Sequence, residues 1–204
     1  MTNPVSAASY LARAQALCKS AKKDSLIYAA LELRCGVEAR LQAHAAVAVG
    51  ISKRQSEQWE IKKLARTLDQ AFGLGESMLV VFVTMEDGRA CQFFYAPVNS
   101  RLQEIAKRCG DYLHALSPER VASPEFWSEL KSIITEGCGL LELACSSEIL
   151  RPTIESGLHF ELQPDDPRVA IVQELQAGAR GKFSTATFTP AGPLTYYPAN
   201  EELD

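Results

Sequence analysis

Residues 25–49, which read SLIYAALELRCGVEARLQAHAAVAV, form the stretch that decides the fold. Leucine, isoleucine, alanine and valine occupy most sides of a helix drawn through this stretch, and it contains no proline. A helix that is apolar on most sides is buried inside a protein rather than laid on its surface. We therefore predict a long helix at the centre of a bundle, with its N-cap at Asp24-Ser25 and its end at Gly50.

Four more helices are predicted around this central one. Apolar residues recur at three- and four-residue steps within residues 5–23, 53–72, 99–116 and 123–145. Asn99 or Ser100 is a typical N-cap for one of them, and Ser123-Pro124 is a typical start for another. The sequence thus predicts a mainly α fold, a bundle of about five helices.

A β-hairpin interrupts the helical pattern. Residues 78–85, MLVVFVTM, are apolar and rich in β-branched side chains, and Asp87-Gly88 follows them. Asp-Gly between two apolar runs is a strong signal for a tight hairpin turn. Residues 90–98 supply the returning strand, so we predict a hairpin inserted in the bundle at about residues 77–98.

The end of the chain has a different pattern from the bundle. Residues 157–162 and 181–189 alternate between apolar and polar side chains, as half-buried strands do. Residues 169–176 fit a helix or a strand equally well. We predict a bundle over residues 1–148 and a small β-rich appendage with an acidic tail over residues 149–204.

Bulk composition narrows the class of protein. A hydrophobic content of 47% with 23% charged residues is ordinary for a soluble globular protein. The longest apolar run, residues 43–49, is too short to span a bilayer, and the N-terminus lacks the pattern of a signal peptide. We expect a cytoplasmic protein without a membrane partner. The net charge is −4, so the chain lacks the surplus of basic residues that proteins binding duplex nucleic acid usually show.

The cysteines predict neither a metal centre nor a disulfide framework. No two of them form a CxxC pair, and none joins a cluster with zinc-ligand spacing. We expect reduced, mostly buried thiols, no metal and no cofactor. The six positions are Cys18, Cys35, Cys91, Cys109, Cys138 and Cys145.

The heptapeptide RCGDYLH at residues 108–114 carries the most suggestive chemistry. It places Arg108, Asp111 and His114 at positions i, i+3 and i+6, which share one broad face of a helix. A guanidinium that binds phosphate, a carboxylate that orients it and an imidazole that titrates near neutrality suit phosphodiester chemistry. The alternative is structural: Arg108 pairs with Asp111, and His114 caps the carbonyls at the helix end.

A second charged pair lies within the central helix. Arg34 and Glu38 stand at i and i+4 in a mostly apolar stretch, and a buried charge is costly unless it is paired. One interpretation is an internal salt bridge at a helix seam. The other is that both side chains face the helix of residues 108–114 and complete a shared polar site.

Two segments resemble known proteins. Ala29–Glu38, of the form AALELRxxxE, and Tyr112–Ala115 resemble a group of uncharacterised bacterial proteins. The helical part, residues 5–146, resembles the HEPN superfamily, four-helix bundles with an Arg-x(4–6)-His motif on a late helix. Arg108 and His114 are separated by five residues and match that motif.

The resemblance implies a metal-independent endoribonuclease of a toxin or phage-defence type, with RNA as its substrate. His114 would be the general base or acid, Arg108 would stabilise the phosphate, and Asp111 or Glu38 would orient them. Members dimerise through the motif helix, so a homodimer is expected. Cys109 stands where catalytic members most often carry Asn, Asp or His. The alternative is therefore a non-catalytic dimeric interaction or scaffold module with a protein partner.

A third hypothesis is a small-molecule-binding bundle, for which no sequence feature stands out. His44, on the apolar central helix, is predicted to be a satisfied core or interface histidine, and His159 carries no motif. Four aromatic residues are predicted to form the core of the appendage, with a stacking platform for bases as the alternative. They are Phe183, Phe188, Tyr196 and Tyr197.

Overall fold

A computed structural model describes residues 4–20, 22–58, 60–114, 117–154 and 157–189. The five longest helices are α1 (Ala7–Cys18), α2 (Lys23–Val47), α4 (Ile61–Phe72), α5 (Ser100–Tyr112) and α7 (Pro124–Ser146). Three shorter helices are α3 (Lys53–Ser56), α6 (Pro118–Ala122) and α8 (Val169–Gln176). The strands are β1 (Met78–Met85), β2 (Ala90–Tyr95), β3 (Ile149–Arg151), β4 (His159–Phe160) and β5 (Gly181–Phe188). The prediction of a mainly α fold with added β elements is confirmed.

Helix α2 is the central element, as its apolar sequence predicts. It packs against α1, α4, α5 and α7, and it buries Leu33 and Val37 completely. The predicted N-cap at Asp24-Ser25 is wrong, because the helix already begins at Lys23. The hydroxyl of Ser25 instead lies 3.1 Å from that of Ser20, and Asp24 sits in the first turn, where its charge suits the helix dipole.

Other helix boundaries also differ from their predictions: α1 spans Ala7–Cys18 and not 5–23, and α2 ends at Val47, before Gly50. The segment predicted as one helix from 53 to 72 is split into α3 and α4, since a Ser52–Gln55 capping box starts a short helix that ends at Ser56. Helix α5 ends at Tyr112 and not at about residue 116, because the Leu113 amide closes it by donating to the Gly110 carbonyl. The predicted N-caps of α5 and α7, by Asn99 and Ser123, are confirmed.

The hairpin prediction is confirmed, and the hairpin belongs to a larger sheet. Strands β2, β1 and β5 form an antiparallel sheet in that order, and β5 pairs with β1 along its whole length, from Met78 opposite Phe188 to Met85 opposite Gly181. Residues of the predicted appendage thus supply the third strand of the sheet. The ambiguous segment 169–176 is the helix α8.

The aromatic residues of β5 do not form a core. Phe183 is 43% exposed and Phe188 is 45% exposed, so the prediction that they are buried is wrong. The reason is that β5 is an edge strand on which residues 182–188 are exposed, on both faces. Tyr196 and Tyr197 lie outside the described residues.

A second, smaller core lies beneath the sheet, and Arg168 holds it to the loop before α8. The Arg168 guanidinium donates to Asp166 Oδ2 at 2.6 Å, to Glu148 and to the Gln92 carbonyl at 3.0 Å. It also lies over the Phe93 ring, 5.4 Å from the ring centroid.

In the described part of the chain, no helix is long and apolar enough to cross a membrane.

Replacing this arginine is expected to destabilise the fold. In Arg168→Ala, the half-buried carboxylates of Glu148 and Asp166 lose their counter-ion, and we expect a loss of about 1–2 kcal/mol in the free energy of unfolding. Arg89→Ala is the matched control, because Arg89 also bridges two carboxylates but lies at an exposed turn. Its cost should be clearly smaller, because exposed ion pairs contribute little to stability. Urea unfolding of both variants measures the difference, and equal costs would contradict this account.

Candidate functional site

The three predicted catalytic residues do not form one cluster. Arg108 on α5 donates from Nη2 to Glu129 Oε1 on α7 at 2.6 Å, so the predicted ion pair with Asp111 is wrong. The side chains of Asp111 and His114 are exposed and have no hydrogen bond or ion pair among the described residues. The partner of Arg108 lies 21 residues away in sequence, on a helix that packs beside α5.

His114 also departs from the predicted helix face. It lies two residues beyond the end of α5, so only Arg108 and Asp111 belong to that helix. The structural alternative for His114, a cap on the helix carbonyls, is wrong as well, because the C-cap bond is made by the backbone of Leu113.

The supporting pair, Arg34 and Glu38, is formed as predicted. Arg34 Nε donates to Glu38 Oε1 at 3.0 Å within α2. Arg34 also faces α5, where it lies on Gly110: a Cβ placed on that glycine would be 1.9 Å from Arg34 Nη1. The two helices thus meet at the glycine between Cys109 and Asp111, a contact that no spacing in the sequence predicts.

Cys109 cannot act as a nucleophile at neutral pH. Its side chain is buried at the seam of α5, and burial raises the pKa of its thiol to about 12, above the usual value near 9. A thiol must ionise to attack or to bind metal. The residue that occupies the usually polar motif position is therefore a core side chain.

A cavity of about 690 Å³ lies between α2, α4, β2 and α5, away from this heptapeptide. Its wall is mostly apolar and its rim is charged. The wall includes Leu41, Leu68, Phe72, Tyr95 and Val98. The rim includes Lys62, Arg66, Asp69, Glu76, Arg101 and Glu104.

His44 lines this cavity with one ring nitrogen unpartnered. The residue is 2% exposed, and its Nδ1 lies 2.8 Å from the Leu150 carbonyl oxygen. A carbonyl only accepts, so Nδ1 carries the proton and Nε2 carries the lone pair. Nε2 is buried and has no hydrogen-bond partner among the described residues. The prediction of a core histidine is right, and the prediction that it is satisfied is wrong.

The surroundings of His44 keep its imidazole neutral. Burial is the main cause that lowers its pKa to about 3, and the positive charge of Arg40 adds to the effect. Arg40 is itself buried and donates to Glu161 at 2.6 Å and to the Ser147 carbonyl at 3.0 Å. At neutral pH His44 is therefore a fixed hydrogen-bond acceptor.

Two aromatic rings frame the imidazole. The rings of Phe72 and Tyr95 meet that of His44 edge-on, with centroid separations of 6.2 and 5.6 Å. Burial raises the pKa of the Tyr95 phenol, which stays protonated, and its hydroxyl has no hydrogen bond to any described residue. The three residues all line the cavity, so its inner part combines an unpartnered acceptor, a hydroxyl and apolar rings.

Within the described ranges, no group of three His, Cys, Asp or Glu side chains is placed to hold a metal ion. A scan against protein-family models, a search of curated proteins and a search of solved structures each returned no match. The likeness to the HEPN superfamily therefore stays a resemblance, and the geometry of the two sites carries the functional argument.

Proposed function

We propose that the protein is a non-catalytic helical bundle that binds a small organic molecule in the cavity beside His44. The observation that carries the proposal is the unpartnered Nε2 of His44. A buried acceptor without a donor costs about 1–3 kcal/mol, and a ligand N–H or O–H would recover this energy. The cavity volume of about 690 Å³ falls in the usual range of small-molecule sites.

The chemistry of His44 supports binding over catalysis. A general acid or base works best when its pKa lies near the working pH. The pKa of His44, about 3, is far below neutrality, so the imidazole neither takes up nor delivers a proton under physiological conditions. It can orient a ligand by accepting one hydrogen bond.

Nitrogen NMR of histidine-labelled protein tests the proposal with tyrosol, a neutral phenol. The chain has three histidines, so the resonances are simple to assign. Tyrosol is expected to move the His44 Nε2 resonance as that nitrogen accepts a hydrogen bond, while exposed His159 stays in place. His44→Asn retains a donor near the Leu150 carbonyl and removes the Nε2 acceptor, so it should weaken binding. Unchanged affinity in this variant, or an immobile His44 resonance at saturation, would refute the proposal.

The ribonuclease hypothesis remains a prediction with its own test. Mixed RNA is incubated in EDTA with the parent protein and with an Arg108→Ala/His114→Ala double variant. We expect no cleavage by either, because Arg108 is held by Glu129 and His114 lies beyond the helix without a partner. Cleavage by the parent alone would favour the endoribonuclease, and the homodimer that the resemblance implies would then need testing.

A further inference from the structure

We propose that the cavity ligand is a small organic acid, with a neutral O–H or N–H donor at one end for His44 and one carboxylate at the other end for Arg66. This inference rests on the proposed function and adds the charge of the ligand to it. The charges on the rim and the positive charge of Arg40 behind His44 both point to such a ligand.

Most of the charged rim groups already have partners within the protein. Lys62 Nζ lies 3.4 Å from Glu104 Oε2, and Arg101 donates to both oxygens of Glu136 at 2.6 Å. Asp69 Oδ1 accepts from the Gly75 amide at 2.8 Å. Glu76 Oε1 accepts from the Ser100 amide, also at 2.8 Å. These groups shape the rim and are partly neutralised before any ligand arrives.

Arg66 is the exception on the rim. It projects from α4, is exposed, and has no ion pair or hydrogen bond among the described residues. Asp69 stands three residues later on the same helix and is a natural partner, but it bonds the Gly75 amide instead. A free guanidinium presents two parallel N–H donors, which match the two oxygens of one carboxylate.

The same rim argues against more highly charged ligands. Three carboxylates, those of Asp69, Glu76 and Glu104, balance the three cations Lys62, Arg66 and Arg101, so the rim lacks the surplus of positive charge that a polyanion such as RNA requires. An ammonium group at the inner end is also disfavoured, because the charge of buried Arg40 already opposes positive charge on His44. A neutral donor inside and a single negative charge at the mouth satisfy both conditions.

Four matched compounds test this inference by calorimetric titration at low salt. 4-Hydroxyphenylacetate has both groups, tyrosol has the phenol without the acid, 4-methoxyphenylacetate has the acid without the donor, and tyramine is the cation. We expect 4-hydroxyphenylacetate to bind about tenfold more tightly than tyrosol, because one charged hydrogen-bonded pair is added. The methoxy acid and tyramine should bind more weakly than 4-hydroxyphenylacetate.

Two substitutions on α4 locate the effect. Arg66→Gln is expected to bring the affinity for 4-hydroxyphenylacetate within about twofold of that for tyrosol, because only the acid carries the charge that pairs with the guanidinium. Lys63→Gln is the control, since Lys63 is exposed on the same helix, pairs with Glu60 and does not line the cavity. It should keep the preference for the acid.

The outcomes separate the two proposals. If tyrosol binds through His44 as tightly as the acid does, the carboxylate inference is overturned and the binding function stands. Tightest binding by tyramine, or an acid preference that survives Arg66→Gln, also overturns the inference alone. If none of the four compounds binds, both proposals are overturned.

Discussion

Lowering the pH from 7 to 4 is expected to cost about 3 kcal/mol of unfolding free energy through His44 alone. The folded pKa of His44 is about 3, and an unfolded histidine titrates near 6.5. As the pH falls below 6.5, the His44 imidazole binds a proton in the unfolded chain but not in the folded one, so stability is lost. The loss continues until the pH reaches the folded pKa, below which both states are protonated.

Urea unfolding at pH 4, 5, 6 and 7 gives the slope of the unfolding free energy against pH. The effect of His44 is the difference between the slope of the parent and that of His44→Asn. Carboxylates contribute to the parent slope, so the quantity of interest is the slope that His44→Asn removes. His159→Asn is the matched control, because it replaces an exposed histidine. This variant should keep the parental slope. If His44→Asn and the parent lose stability equally between pH 7 and 4, then His44 is not buried as a neutral ring.

The unpartnered nitrogen of His44 could not be predicted from the sequence. The apolar pattern of α2 places this residue in the core, which is correct. Its Nδ1 partner, however, is the Leu150 carbonyl, 106 residues away, and the cavity that His44 lines is bounded by β2 and α5. Local periodicity reports which face of a helix is buried, and it carries no information about which polar atom lacks a partner.

The charged residues show that sequence spacing predicts ion pairs within one helix but not ion pairs between helices. Arg34 and Glu38 pair as predicted, because both belong to one helix and the i, i+4 spacing fixes their separation. Arg108 does not pair with Asp111, because Glu129 on a neighbouring helix is closer to its guanidinium group. The sequence predicts contacts within an element well, but helix-to-helix contacts depend on packing that no short motif encodes.

Non-local pairing explains why the sheet was only half predicted. The hairpin of β1 and β2 is marked by Asp87-Gly88 and needs only a tight turn. The pairing of β1 with β5 joins residues about a hundred positions apart, and its strand pattern alone does not identify the partner. The alternation at residues 181–189 predicted a strand and left its neighbour open.

The second large loss of stability is expected for Gly137→Ala on α7, because this glycine lies in the close-packed centre of the bundle. A Cβ at this position would lie 2.6 Å from Leu33 Cδ2 and 2.7 Å from Ile105 Cγ2. These methyl groups belong to α2 and α5, and both side chains are completely buried, so neither can move aside without disturbing the core. Overpacking of this kind costs about 1–3 kcal/mol or more, and the better helix propensity of alanine offsets only about 1 kcal/mol of it.

We therefore expect Gly137→Ala to lower the free energy of unfolding by about 1–2 kcal/mol. Gly139→Ala is a matched control on the same helix, since a Cβ there meets nothing within 4 Å. It should leave stability unchanged or raise it by up to about 1 kcal/mol. Opposite signs for the two variants in urea unfolding would show that Gly137 is required by close helix packing. A stabilising Gly137→Ala would mean that α7 lies farther from α2 and α5 than described, which would also alter the wall of the cavity that α5 forms beside His44.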